Sequence, residues 1–403
     1  MTGKQKAYLI VLLIVAVTVA GRLFLNAPIA HIQLAAETVV PDVFGMWNIT
    51  NSIIAAWVAM GVIVTIAFLA TRKMKVVPTG LQNLVEAVVG GFYDFVVSIA
   101  GKENGRRFFP VLVTIFIFIL VANWMSLLPV FGTIGKVEPA YEVLELELEE
   151  VVSNLNERLP AGAQEFEVHH LEVDGHSIPA KPEEQVLAAV RRSAAKEKLV
   201  IFDGTGTLKM IPVGFGIRKS IRMGDYWDFD AWEARSGVVP VGVGEDAGEV
   251  NLSGKTVGRL VPYLRNMNTD LMIPLAIAFI AMFMIEWWGI RANGFFNYLS
   301  RFINFKQGPI GFVVGILEAI SEFSRLISFS FRLLGNMFAG EVLIFSMVFL
   351  LPIMAGVLVF PFLLELFVGF IQAVVFAALT LVFAVLAVTS HSDHGEEEHS
   401  PGH

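Results

Sequence analysis

The chain has 403 residues, 55% hydrophobic and only 16% charged, with a mean hydropathy of +0.66. A soluble domain carries about 25% charged residues, so a wholly soluble protein is excluded, and the absence of cysteine removes disulfides, thiolate chemistry and Cys-ligated metals. The net charge of −8 is confined to one block: residues 135–260 hold 22 acids and 14 bases, and the rest holds 15 of each.

Apolar runs of about 20 residues, the length of a membrane span, recur along the chain. Residues 7–26 follow Lys4 and Lys6. This run has the makings of a signal peptide or a first span. Its length and the lack of a clean A-x-A site favour a retained helix. Residues 49–71 predict the next span. In residues 79–100, Leu81, Leu84, Val85, Val88, Val89, Phe92, Phe95, Val96 and Ile99 recur at helical spacing opposite Gln82, Asn83, Glu86 and Asp94. That pattern predicts an amphipathic helix, either lying along the interface or packed on the bundle. Residues 108–129 predict a further span, closed by Pro129.

The acidic block then reads as a soluble α+β insertion. It opens with a predicted helix over 137–159. Strand-like pieces follow in EFEVHHLEVDG, KLVIFDGTGTLKMIPV and SGKTVGRLVPYL. Residues 269–290 predict a span that ends near Trp287 and Trp288, as an interfacial belt would. Two long helical stretches, 309–350 and 355–389, complete the chain before the charged tail.

A straight crossing needs about 20 residues at 1.5 Å each. Both last stretches exceed that, which predicts two strongly tilted helices joined near Pro352. The expected fold is an all-α polytopic membrane protein with these two tilted helices and an inserted extramembrane α+β domain. The expected divisions are 1–48, 49–133, 134–260, 261–390 and a tail at 391–403.

Cations set the orientation. Arg72, Lys73, Lys75, Lys102, Arg106 and Arg107 crowd one loop, and Arg291, Arg301 and Lys306 another, whereas residues 27–48 have no Lys or Arg. The cationic loops and the tail are therefore expected in the cytoplasm, with 27–48 and the insertion outside. No basic stripe suggests a nucleic-acid partner.

The polar residues of the two long stretches are ordered. Glu318, Arg325 and Arg332 are seven apart, as are Ser321, Ser328 and Gly335; Glu365 and Gln372 repeat the interval. Seven residues drift only about 20° on a helix, so each set shares a stripe. Ser and Gly alone suit a helix-packing seam. Arg332 with Glu341 and Glu365 points instead to an ion pathway, because ionisable groups inside spans are costly. None of the eight histidines lies in a long apolar run.

At FRLLGNMFAGE (331–341) and LFVGFIQAVVFAALTLVF (366–383) the chain resembles subunit a of the F-type ATP synthase, the membrane stator beside the rotating c-ring. The resemblance extends to RKMKVVPTGLQNLVEAVVGGFYDF, GRRFFPVLVTIFIFILVANWMSLLP and MNTDLMIPLAIAF, and omits the insertion. It implies a non-catalytic subunit of a prokaryotic inner membrane that needs no cofactor. The implied partners are c-ring subunits, peripheral-stalk b subunits and membrane lipid. By matching position, Arg332 is the ring-facing arginine and Gln372 its partner on the last helix. Asn336, Glu341 and Glu365 belong to an outer half-channel, and Glu318 and Ser328 to an inner one. Parts of the family carry histidine at one outer position, where this chain has carboxylates at both.

Two other readings are open to the sequence. A stand-alone secondary transporter would use Arg332 with Glu341, but no internal repeat supports it. An enzyme in the insertion has no nucleophile–base constellation. The triplet His169, His170 and His176 is a weak metal motif, since neighbouring strand residues face opposite ways. DGTGT (203–207) lacks the GK[ST] of a phosphate loop. The insertion is better explained as a lid or docking surface.

Overall fold

A computed structural model describes residues 36–43, 47–128, 130–132, 134–160, 165–173, 176–204, 208–210, 220–241, 248–299, 308–350 and 359–389. The expected first span, the turn near Pro352 and the tail lie outside them. The described residues divide into two compact units, one drawn from residues 129–264 and the other from residues 36–128, 265–347 and 359–389.

The second unit begins with a hairpin of β1 (Thr38–Val43) and β2 (Trp47–Thr50). Helix α1 (Asn51–Thr71) follows directly. Next comes α2 (Leu81–Ser126), 46 residues long, which would stretch about 69 Å as one rod. It is not one rod: Gly101 has φ 73°, a left-handed conformation that glycine adopts without a Cβ penalty. The two arms fold back on each other. Phe92 stacks on Phe116 at 4.5 Å, Tyr93 meets Phe109 edge-on at 5.0 Å, and a Cβ on Gly105 would lie 3.1 Å from Val97 Cγ2. The amphipathic stretch 79–100 therefore packs on the following helix, burying Phe92 and Val96, while Leu84 stays exposed.

The first unit contains β3 (Ile134–Pro139), α3 (Ala140–Asn156), the hairpin β4 (His170–Val173) and β5 (His176–Pro179), and α4 (Glu184–Ala194). It continues with β6 (Lys198–Asp203), β7 (Leu208–Met210), β8 (Ser220–Arg222), β9 (Val238–Val241), β10 (Gly248–Asn251) and β11 (Lys255–Pro262). The helix predicted from 137 begins only at Ala140. Val137 and Glu138 pair instead with Leu260 and Arg259, and Pro139 marks the boundary because a proline drives the residue before it into an extended conformation.

Strands β7-β3-β11-β6-β8 form an antiparallel sheet. Its core gathers Val143, Leu144 and Leu148 of α3, Val186 and Val190 of α4, and Leu199 and Ile221 of the sheet. Arg259 Nε donates to Glu138 Oε2 at 3.0 Å across the central pair. The pairing Gly135↔Pro262 brings the two ends of the block together.

Helices α5 (Met272–Asn293), α6 (Gly308–Leu350) and α7 (Val359–Val388) complete the membrane unit. The lengths of 43 and 30 residues for α6 and α7 agree with the expected long pair. Five described helices are long and apolar enough to cross a membrane. Ala373, Ala377 and Ala384 of α7 are fully buried with Leu112 and Ile119 of α2, and with Ala278 and Ala281 of α5. Such small side chains let helices approach closely.

Burial raises the Glu147 carboxyl above its ordinary range, and Glu197 and Glu150 add to this against the Ser193 hydrogen bond and Arg259. The folded state then holds a proton that the unfolded chain releases. Stability should fall as pH rises through that window. Glu147→Gln should flatten this dependence and make residues 134–262 more resistant to proteolysis at pH 7, measured by pulse proteolysis of the full chain across pH 4–8.

Candidate ion-translocation site

Helix α6 places its polar residues two turns apart, and their surroundings differ. Arg325 is neutralised within the fold: its Nη1 lies 2.9 Å from Glu322 Oε1 and its Nη2 3.7 Å from Glu318 Oε1. The guanidinium also sits 4.7 Å from the centroid of the Phe383 ring on α7. Arg332, one heptad on, is half-buried, and among the described residues it makes no hydrogen bond or ion pair. Beside it runs an open face: Ser321, Ser324, Ser328, Gly335 and Ala339 are all exposed. A Cβ on Gly335 would meet nothing within 4 Å.

Asn336 points its Nδ2 to Gln372 Oε1 at 2.5 Å, joining α6 to α7. Gln372 is only 3% exposed, and its Nε2 has no partner among the described residues. Glu365 is 8% exposed; its carboxylate covers Gly340, whose Cβ position lies 3.0 Å from Glu365 Oε1. This seats Glu365 next to Glu341, and the two carboxylates feel each other's charge. Glu341 also interacts with Arg265 and lies within hydrogen-bonding reach of the Thr269 side chain. Asn336, Glu341, Glu365 and Gln372 thus gather between α6 and α7. Glu318 and Ser328 lie further back along α6, Glu318 beside Arg325.

A polar group that sequence reasoning missed adjoins Glu341. Arg265, Asn266, Asn268, Thr269 and Asp270 precede α5, and all are buried. Asn268 Nδ2 donates to Asn123 Oδ1 at 2.6 Å, and Asn123 Nδ2 donates to the Gly369 carbonyl at 3.1 Å. Ser52 donates to Asp270 Oδ2 at 2.7 Å, and Asn51 Nδ2 to Glu37 Oε2 at 3.0 Å. Polar side chains at 0–9% exposure in such number call for partners, and helices α1, α2 and α7 supply them. The density of Asn in LRNMNTD and the lone Asn123 in an apolar run were the available signals.

His170 Nε2 is 2.6 Å from Glu145 Oε1, and no cluster of three metal-ligating side chains occurs among the described residues.

Taken together, the fold and site define a polytopic membrane protein that keeps ionisable and amide groups on its long apolar helices. The sequence profile of the family described as ATP synthase A chain matches residues 53–141 and 250–385, more than half the chain, and the chain belongs to that family. It is 42% identical over 106 residues to ATP synthase subunit a of Solidesulfovibrio magneticus, covering 25% of this chain and 44% of that protein. It is 34% identical over 138 residues to ATP synthase subunit a of Helicobacter pylori, covering 34% and 58%. With the subunit of Trichlorobacter lovleyi it shares 40% over 81 residues, covering 20% and 35%. The chain therefore spans about half the length of these relatives. The profile match breaks off between residues 141 and 250, inside the block that forms the separate sheet.

Replacing Asn336 with Leu removes the partner of Gln372 Oε1. The buried amide is then left unpaired, a loss of about 1–3 kcal/mol. Asn336→Leu should lower the thermal stability of the solubilised protein, and adding Gln372→Leu should recover part of it. A single and a double variant of equal stability would contradict the pairing.

Proposed function

We propose that this chain is the ion-conducting stator subunit of a rotary ATP synthase. In this reading, two half-channels deliver protons to, and collect them from, the carboxylates of a rotating c-ring. The chain itself catalyses no reaction; it couples the ion gradient to ATP synthesis elsewhere in the complex, whose c-ring and peripheral-stalk b subunits are its protein partners. The observation that carries this reading is the contrast between Arg325, paired within the fold, and Arg332, which has no counter-ion among the described residues and stands beside an open face of small side chains.

The chemistry follows from that contrast. A ring carboxylate facing lipid must be neutral, because an exposed charge there is costly. Beside a fixed guanidinium the charged form is favoured. Arginine holds its proton too firmly to leak it, whereas a desolvated lysine could lose it. Arg332 therefore attracts the carboxylate and separates the two half-paths.

Asn336, Glu341, Glu365 and Gln372 form the arrival side. Glu318 and Ser328 form the departure side. An ion cannot pass Arg332 directly and has to travel with the ring, driven by about 2.3 kcal/mol per charge per 100 mV.

The cationic loops support a prokaryotic inner-membrane placement, with the insertion outside and the tail in the cytoplasm. The two long helices are read as tilted, since a perpendicular pose would carry apolar turns into water. Residues 134–260 are read as an extramembrane α+β domain added to this machinery, acting as a lid or docking surface.

Arg332→Ala should abolish ATP synthesis driven by an imposed proton gradient while the complex still assembles, as measured in proteoliposomes; normal coupled synthesis in that variant would refute the stator reading. Deleting residues 140–255 with a short turn in their place should retain measurable coupled synthesis. Complete loss in an assembled complex would make the insertion essential instead.

A further inference from the structure

Glu322 belongs to none of the roles so far assigned, yet among the described residues it stands nearer to Arg325 than Glu318 does. It lies one turn before Arg325, the spacing at which helix side chains meet. Its Oε1 is 2.9 Å from Arg325 Nη1, while Glu318 Oε1 stands at 3.7 Å from Nη2 of the same group. Glu322 is also the more enclosed carboxylate, its side chain 14% exposed against 26% for Glu318. From the other side, Phe383 of α7 offers its ring to the guanidinium at 4.7 Å. The planar fork is thus held by a carboxylate on one helix and an aromatic ring on the next, an arrangement that suits arginine better than lysine.

We propose that Glu322 is a positioning residue for proton exit: it holds the Arg325 guanidinium against Phe383 and away from full engagement with Glu318. This inference rests on the assignment of Glu318 to the inner half-channel. A Glu318 gripped at both oxygens by a guanidinium would be a poor acceptor for a proton leaving the ring. With Glu322 as the nearer partner, the cation stays close enough to orient Glu318 and too far to clamp it. Arg325 is then a shared counter-charge, with Glu322 setting how the sharing is divided.

The test uses the assembled complex in proteoliposomes, with ATP synthesis driven by an imposed proton gradient and normalised to complex content. Glu322→Gln frees Arg325 to close on Glu318, and the rate should fall about tenfold. Glu322→Asp restores the anion and should recover most of the rate. Arg325→Gln added to Glu322→Gln removes the cation that would close, so the double variant should be faster than Glu322→Gln alone.

Phe383→Leu loosens the same group from α7 and provides an independent variant should Glu322→Gln assemble poorly; its rate should fall less. An unchanged rate in Glu322→Gln, or a double variant no faster than the single one, overturns the inference. Glu318→Gln separates the two levels. If it blocks synthesis while Glu322→Gln does not, only the positioning role fails. If Glu318→Gln runs normally, the inner-channel assignment of Glu318 fails and this inference with it.

Discussion

The ion pair between Arg325 and Glu322, 2.9 Å long and backed by Phe383, is the constraint around which α6 is organised. A guanidinium on an apolar helix is tolerated when a carboxylate and a ring face meet it. That solution is complete at Arg325. At Arg332, seven residues on, the helix offers Ser328, Gly335 and Ala339 in place of acids. The same residue type on the same stripe therefore meets two surroundings, one with acids beside it and one with small side chains. Between the two arginines, Phe329 of α6 packs on Phe376 and Phe383 of α7, with ring centroids 5.1 and 6.0 Å apart.

A second polar assembly surrounds Glu341. Asn123, Asn268 and the Gly369 carbonyl are linked in series, and Asn336 and Gln372 form a parallel link between α6 and α7. Amides both donate and accept, so they bond to one another without adding charge to the hydrocarbon. Around two carboxylates that already repel, neutral amides are a better lining than further acids. Arg265 supplies the compensating positive charge.

Much of this was legible in the sequence, for identifiable reasons. The long helices announced themselves by unbroken apolar length, and the stripe of Glu318, Arg325 and Arg332 by its interval of seven. The separate fold of the acidic block followed from its composition. The break at Gly101 was legible as the gap between the stretches 79–100 and 108–129, but the folding of one arm back on the other was not, because it rests on contacts such as Tyr93 against Phe109. The start of α3 differs from the expectation because the Leu- and Glu-rich run after Pro139 is strongly helical and VEP was read with it; the pairing of Val137 with Leu260, far along the chain, holds those residues in the sheet. The Asn123–Asn268 bond joins residues 145 apart in the chain, and attention to titratable groups alone passed over it. Glu322 was visible but unremarkable, since its importance lies in being nearer to Arg325 than Glu318 is.

The pairing of β3 with β11 has a consequence for what the rest of the chain experiences. Paired Cα atoms in such a ladder lie about 5 Å apart, so Gly135 and Pro262 leave the sheet as neighbours. A flexible excursion over residues 140–257 would let those two points wander, with an entropy that grows only slowly with its length. Folded, the block removes that freedom. To the segments before Gly135 and after Pro262 it presents the same boundary condition as a turn of a few residues. A large domain can therefore be carried at this position, its size hidden behind a single strand pair.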